Sequence, residues 1–427
     1  MLTRPRRQIT ATLVLAIFTI APTVYVAWTI RGLGQPSHLR EVEAEIGRRL
    51  GVLVRVERAT HPRPDVDVLH NVSLRLHDAA DSEIARADCL RISRSGGEMN
   101  MKLDSLQIKG DGASDALNQT LAFLRRMASS EESRISLVAD RCEIRLGKRV
   151  ETLRELAAIV DVDRSTPSMS ASYLLDDDQG HLSRCELAIS CQAGGQTRVT
   201  LRTMEGPVLA RVLSPFFDVE SWLGASARLD GTLTLTRKMA SSWGSEFRGE
   251  LSTIDLGSVV GRRFAGHRLT GIGRLKIETA EWAERPGGQG PGWVEARGTL
   301  SAGPGSISMG LLDALKSRMQ FRLDSHLEPG KPDVDYQGLG LLFAMNSEGE
   351  LTLRGGLGAE YAPDAVLVQG HHGLPLARSP AGAANVRGLW NTLMPASPET
   401  LAPVVPEMHS LGALPLPRGG QGRMSAN

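Results

Sequence analysis

The side chains best suited to chemistry gather in one tract. His61, Asp65, Asp67, His70, His77 and Asp78 place three imidazoles among three carboxylates, a donor set that transition metals use. The imidazoles are nine and seven residues apart, without the close spacing of a ligand pair, and Pro62 and Pro64 interrupt the stretch. Solvated turn residues therefore fit this tract better than a metal centre. Asp176, Asp177 and Asp178 stand between two strand-like stretches and read as a hairpin turn, because a calcium loop needs further oxygens at alternating positions. His371 and His372 are adjacent, and neighbouring strand residues point to opposite faces, so the pair is a poor chelate.

Cys89, Cys142, Cys185 and Cys191 form no CxxC and have no histidine at zinc spacing. In a strand Cys185 and Cys191 would lie roughly 20 Å apart, too far for a disulfide, so buried free thiols are expected. No nucleophile elbow, phosphate loop, HExxH or dinucleotide fingerprint is present, and Gly271-Ile272-Gly273 lacks the third glycine. Catalytic, cofactor-binding and metal residues are accordingly expected to be none, and the chain reads as non-enzymatic.

What positions these residues begins with a membrane segment. From Ile9 to Ile30 no side chain is charged, which at 1.5 Å per residue is roughly 33 Å of helix, enough for a hydrocarbon core of about 30 Å. Arg4, Arg6 and Arg7 precede it and only Arg31 follows, so the N-terminus is expected in the cytoplasm and the body outside. A cleaved signal peptide ending at Ala21 is the competing reading, and both export the residues beyond 31. With 49 Lys+Arg against 48 Asp+Glu, the formal charge of +1 excludes a non-specific nucleic-acid binder.

Beyond the membrane, Leu39, Val42, Ile46 and Leu50 repeat at helical spacing and stop at Gly51. The period then changes to two. Val72, Leu74 and Leu76 alternate with Ser73 and Arg75, and similar stretches recur every ten to fifteen residues, predicting a β meander of 16 to 20 strands with antiparallel neighbours. Helical spacing interrupts it at residues 114–129, 151–160, 207–223 and 308–318. Residues 284–292 read as a loop tip, and the Pro/Gly/Ala-rich tail from 373 to 427 as disordered. The expected organisation is a cytoplasmic N-terminus (1–8), a transmembrane helix (9–30), a β-rich body (31–372) and that tail.

Three blocks of this pattern resemble the AsmA-like superfamily, bacterial relatives of TamB and of the chorein-type bridge proteins. The first, within 38–113, has a helix ending at Gly51, then a strand through Leu69, Asn71, Val72 and Leu74, then the phrase Ile84, Ala85, Ala87, Asp88. The second runs from Phe217 to Gly257 and the third from Gly298 to Leu315, both inside a C-terminal region of 207–360. The resemblance implies an inner-membrane-anchored periplasmic protein, with no catalytic residues, whose curled, groove-like β-sheet serves phospholipid traffic or outer-envelope integrity. About 18 strands at ~4.8 Å would stack to roughly 86 Å, a marginal span that calls for partner envelope proteins or a partial bridge.

So large a one-sided sheet must close, pair or curl around something apolar. Two functions follow. In one, Val72, Leu74, Leu76, Leu233, Leu235, Leu351 and Leu353 line a groove for the acyl chains of phospholipid or another lipid. In the other, the same residues pack a dry core and the protein is a scaffold or assembly factor for envelope proteins.

Overall fold

The computed structural model describes residues 36–385 apart from 64, 76–82, 111–119, 125–132, 147–148, 163–165, 177–179, 193–194, 214–218, 220–222, 238–242, 262–265, 285–290, 325–330 and 370–372. The expected transmembrane segment (9–30), Leu76, His77, Asp78, the His371–His372 pair and the tail beyond 385 lie outside the described residues. The chain is mainly β (65% strand) with a few short helices, and its strand pairing is mixed. It divides at Tyr173/Leu174 into two compact units.

In the first unit the Pro36–Leu50 helix buries Ile46 and Leu50 and ends at Gly51, whose φ of 63° is the left-handed cap that glycine adopts without strain. Glu43 on this helix accepts a hydrogen bond from the Val56 N–H at 2.8 Å, fixing the helix to the chain that follows. Strands β1 (Leu53–Arg55) and β2 (Arg58–Arg63) both pair with β3 (Val66–Arg75), and β4 (Glu83–Ser95) and β5 (Glu98–Gly110) continue the antiparallel order. β6 (Arg134–Leu146) then joins β5 in parallel, and β7 (Arg149–Asp161) returns antiparallel. The expected all-antiparallel order is thus broken between β5 and β6. Parallel neighbours need a crossover where a hairpin needs two residues, and this crossover carries a helical turn at 120–124 with Leu121 and Leu124 buried.

The strand β7 also overturns the helix expected at 151–160. Leu153 and Leu156 are both buried although three apart, which mimics helical spacing. The cause runs through the whole sheet. Leu69, Leu90, Leu103, Ala139 and Leu156 form one buried cross-strand row, and Val72, Ala87, Leu106, Cys142 and Leu153 form the next. In every one of these strands the two rows are three residues apart instead of two. Residues three apart in a regular strand face opposite sides, so each strand slips phase at the same level. Asn71 (φ 52°) and Glu155 (φ 50°) mark the slip in the outer strands, and it keeps both halves of each strand apolar on the same face.

β8 (Ser168–Asp176) spans the boundary between the units. In the second unit β9 (Leu182–Cys191), β10 (Thr197–Glu205), β12 (Arg228–Arg237), β13 (Trp243–Asp255), β14 (Ile272–Glu284), β15 (Pro291–Ala302), β19 (Gly338–Met345) and β20 (Glu350–Gly355) pair antiparallel in that order, with β11 (Val208–Leu209) on the start of β12. β16 (Gly305–Ser308) pairs with β18 (Asp333–Tyr336) in a second, two-stranded sheet. β17 (Arg322–Leu323), β21 (Ala365–Gln369), β22 (Leu374–Arg378) and β23 (Ala384–Asn385) close the end of the chain. β22 and β23 correct the disorder expected from 373, because Leu376 and Ala377 are buried there.

The helix expected at 207–223 opens instead as β11 and a 3₁₀ turn, Ala210–Leu213. Residues 284–292 are not all loop, since β14 reaches Glu284 and β15 starts at Pro291. Met309–Met319 is helical as its spacing predicts, capped by the Ser308 hydroxyl on the Leu311 N–H at 3.4 Å.

Candidate functional site

The second unit presents one apolar sheet face whose side chains are only half covered. Cross-strand register aligns Leu201, Leu233, Phe247, Ala280, Ala296, Met345 and Leu351 in one row over seven strands. A parallel row runs Leu229, Leu251, Leu275, Leu300 and Leu341. Between them runs a glycine-rich line, Gly231, Gly249, Ile277, Gly298 and Phe343 in cross-strand order. Strands supply this face because every second residue is aliphatic, aromatic or glycine.

The glycines are required by close approach. A Cβ on Gly249, where φ is +149°, would stand 2.3 Å from the Asp230 carbonyl oxygen and 2.6 Å from the Gly231 Cα. A Cβ on Gly298 would stand 2.9 Å from the Phe343 ring. Register shifts at Phe247/Gly249 and Ile277/Thr279 fall on the same line, so the strands bend there.

Exposure along the face is uneven. Leu233, Leu235, Phe247, Leu251, Leu275, Ile277, Leu300 and Phe343 are half-buried, whereas Leu229, Leu351 and Leu353 are buried. Leu351 and Leu353 join Leu311, Leu312, Met319, Val366 and Leu367 in a packed cluster beneath the Met309–Met319 helix. The opposite face is charged and wet: Arg248 pairs with Glu246 at 2.7 Å, Arg274 with Glu250 at 3.0 Å and Arg297 with Glu295 at 2.9 Å. Such exposed pairs add little stability, but they make this face unable to bury apolar matter.

The residues expected to line a groove therefore fall into different surroundings. Leu233 and Leu235 sit half-buried on the open part of the face, Leu351 and Leu353 in its packed end, and Val72 (buried) and Leu74 (half-buried) on β3 of the other unit. Leu76 lies outside the described residues. Phe247, Leu275, Ile277 and Phe343 belong to the same face. Their alternation is visible in the sequence, but only the register shows that they align.

Within the His/Asp tract, His61 and Asp67 are not solvated turn residues. Asp67 is buried, and its carboxylate accepts from His61 Nδ1 at 2.7 Å and pairs with Arg94 Nη2 at 2.9 Å. His61 Nε2 in turn meets His38 Nε2 at 2.8 Å. His38 lies outside the tract, on the Pro36–Leu50 helix, so spacing within the tract had no means of finding it. His70 pairs across β2 and β4 in the sheet, and Asp65 lies in the turn before β3. Among the described residues no three His, Cys, Asp or Glu groups converge on a metal position.

All four cysteines are free. Burial pushes the Cys142 thiol up to about 12 and the Cys185 thiol to about 11, and raises Cys89 as well. The reactive thiolate is thus suppressed at neutral pH. Iodoacetamide at neutral pH is expected to leave Cys142 and Cys185 unmodified in the folded protein and to alkylate all four thiols in denaturant, read by peptide mass spectrometry. Rapid native labelling of Cys142 would contradict its burial. These thiols favour folding fully below the ordinary thiol range, and that contribution falls as pH rises toward 12.

Among the described residues no helix is long and apolar enough to cross a membrane. Compared with known protein families, curated proteins and solved structures, the chain matches none.

Proposed function

We propose that this protein is a non-enzymatic, membrane-tethered carrier that holds the acyl chains of phospholipid against the apolar face of β9–β20. The observation that carries the reading is the seven-strand row from Leu201 to Leu351, apolar throughout and half-buried at Leu201, Leu233 and Phe247, backed by a charged face. An acyl chain needs only contact, whereas a protein segment laid there would bring backbone groups that require hydrogen bonds. The apolar Ile9–Ile30 segment supplies the tether, and the arginine bias before it directs the body to the outer side of the inner membrane. With the resemblance of its Gly51 and Gly298 blocks to AsmA-like proteins, this favours a curled, groove-like sheet serving outer-envelope biogenesis.

The second reading is a scaffold for envelope proteins with a dry β core, and the packed cluster around Leu351 and Leu353 favours it. Lipid extraction and native mass spectrometry of the detergent-purified protein separate the two. Phospholipid at stoichiometric levels is expected; its absence across several detergents would leave the scaffold.

A further inference from the structure

The two imidazoles that meet between the first helix and the first hairpin have an arrangement that neither the lipid face nor ordinary packing uses. His61 is held from behind: Asp67 accepts from its Nδ1 at 2.7 Å, and Arg94 at 2.9 Å fixes that carboxylate. A carboxylate only accepts, so Nδ1 carries the proton and the neutral ring presents a lone pair at Nε2. The Nε2 of His38 lies 2.8 Å from the Nε2 of His61, while the Glu41 carboxylate, 3.9 Å from the Nδ1 of His38, is beyond hydrogen-bond reach and leaves that ring free to change tautomer. The rings meet edge to face, with centroids 5.0 Å apart and planes at 63°.

Without an ion, His38 Nε2–H donates to the lone pair of His61 Nε2, and a divalent ion can take the place of that proton once His38 carries its own on Nδ1. The Asp67 carboxylate behind His61 is the arrangement by which metal-ligating histidines are oriented. We propose that His38 and His61 form a two-imidazole site for a divalent transition-metal ion of the zinc or copper class, with Asp67 orienting His61 and water completing the coordination. Two nitrogens at about 2.0–2.1 Å from a tetrahedral ion are about 3.3 Å apart, so the pair must open by roughly half an ångström. His38, with 24% of its side chain exposed on the helix, has room for that movement. The ion would fasten the helix that follows the membrane segment to strands β2 and β3. With only two protein ligands the site is exchangeable.

The test uses the full-length protein in detergent, stripped with EDTA and titrated with zinc chloride by calorimetry, with circular dichroism confirming the fold of each variant. Wild type is expected to bind one equivalent that His38→Ala lacks. Asp67→Asn should weaken binding about 10- to 100-fold, as removal of an orienting carboxylate does, and His181→Ala should leave the equivalent intact. Cupric ion at the same site should give an electron paramagnetic resonance spectrum with two imidazole nitrogens, reduced to one in His38→Ala. The proposal is overturned if His38→Ala binds zinc as wild type does, or if wild type binds no equivalent. In that case the two rings share a proton only.

Discussion

A Leu235→Asp variant is expected to fold, express at the wild-type level and lose its bound phospholipid. Leu235 is half-buried on β12 between Val199 and Ser245, so a carboxylate there keeps access to water when the face is empty. The stability cost should be about 1 kcal/mol, the ordinary value for a point change. Against an acyl chain the same carboxylate must lose its water, which costs more than the roughly 2–7 kcal/mol of a neutral polar group left without a hydrogen bond and would lower lipid occupancy by tenfold or more. Leu353→Asp is the matching control. Leu353 is 4% exposed inside the cluster under the Met309–Met319 helix, and a carboxylate there should cost several kcal/mol and unfold the C-terminal part. Extracted lipid and denaturation midpoints of both variants check this. An unfolded Leu235→Asp protein would favour the dry scaffold, and a folded one with full lipid would mean that the acyl chains lie elsewhere.

Gly249→Val should be among the most damaging single changes outside the packed cluster. Its added Cβ meets backbone atoms, at 2.3 Å from the Asp230 oxygen and 2.6 Å from the Gly231 Cα, so no side-chain rotation relieves it. The φ of +149° adds strain that a β-branched residue cannot avoid. Strain combined with a forced separation of β12 and β13 is expected to cost about 4 kcal/mol or more, a range reserved for such mechanisms. Gly261→Ala, in a helix where an added Cβ meets nothing within 4 Å, should be neutral or slightly stabilising. Urea midpoints decide the matter. A Gly249→Val protein as stable as wild type would show that the bend at this line is not needed.

Much of this architecture is legible in the sequence where one strand obeys one period. The stretch from Gly231 to Thr236 alternates cleanly, and Met309–Met319 carries its apolar residues at helical spacing behind a serine cap. Residues 151–160 mislead because the phase slip at Glu155 sets Leu153 and Leu156 three apart, a spacing that a straight strand forbids and a helix favours. The parallel joint of β5 and β6 is invisible for another reason: alternation says which face a strand buries, not which neighbour it takes. The apolar face itself can be read from Leu233, Leu235, Leu351 and Leu353, but its division into an open centre and a packed end depends on where the Met309–Met319 helix lies. The His38–His61 meeting joins elements separated by the turn at Gly51, and local spacing carries no signal of it.

The parallel joint also sets an order in time. β4 and β5 pair across a short turn at Gly96 and Gly97, and such a hairpin closes as soon as both arms exist. β6 has no such route. It can dock only after the residues between Gly110 and Arg134 have been synthesised, and a contact of this sequence separation closes slowly. Until then β5 carries an open edge of unpaired N–H and C=O groups, a template for any other extended chain. The interval between the completion of β5 and the arrival of β6 is therefore when a nascent copy of this protein is most exposed to pairing with the wrong strand, and when a chaperone that masks sheet edges would have the greatest effect on its yield.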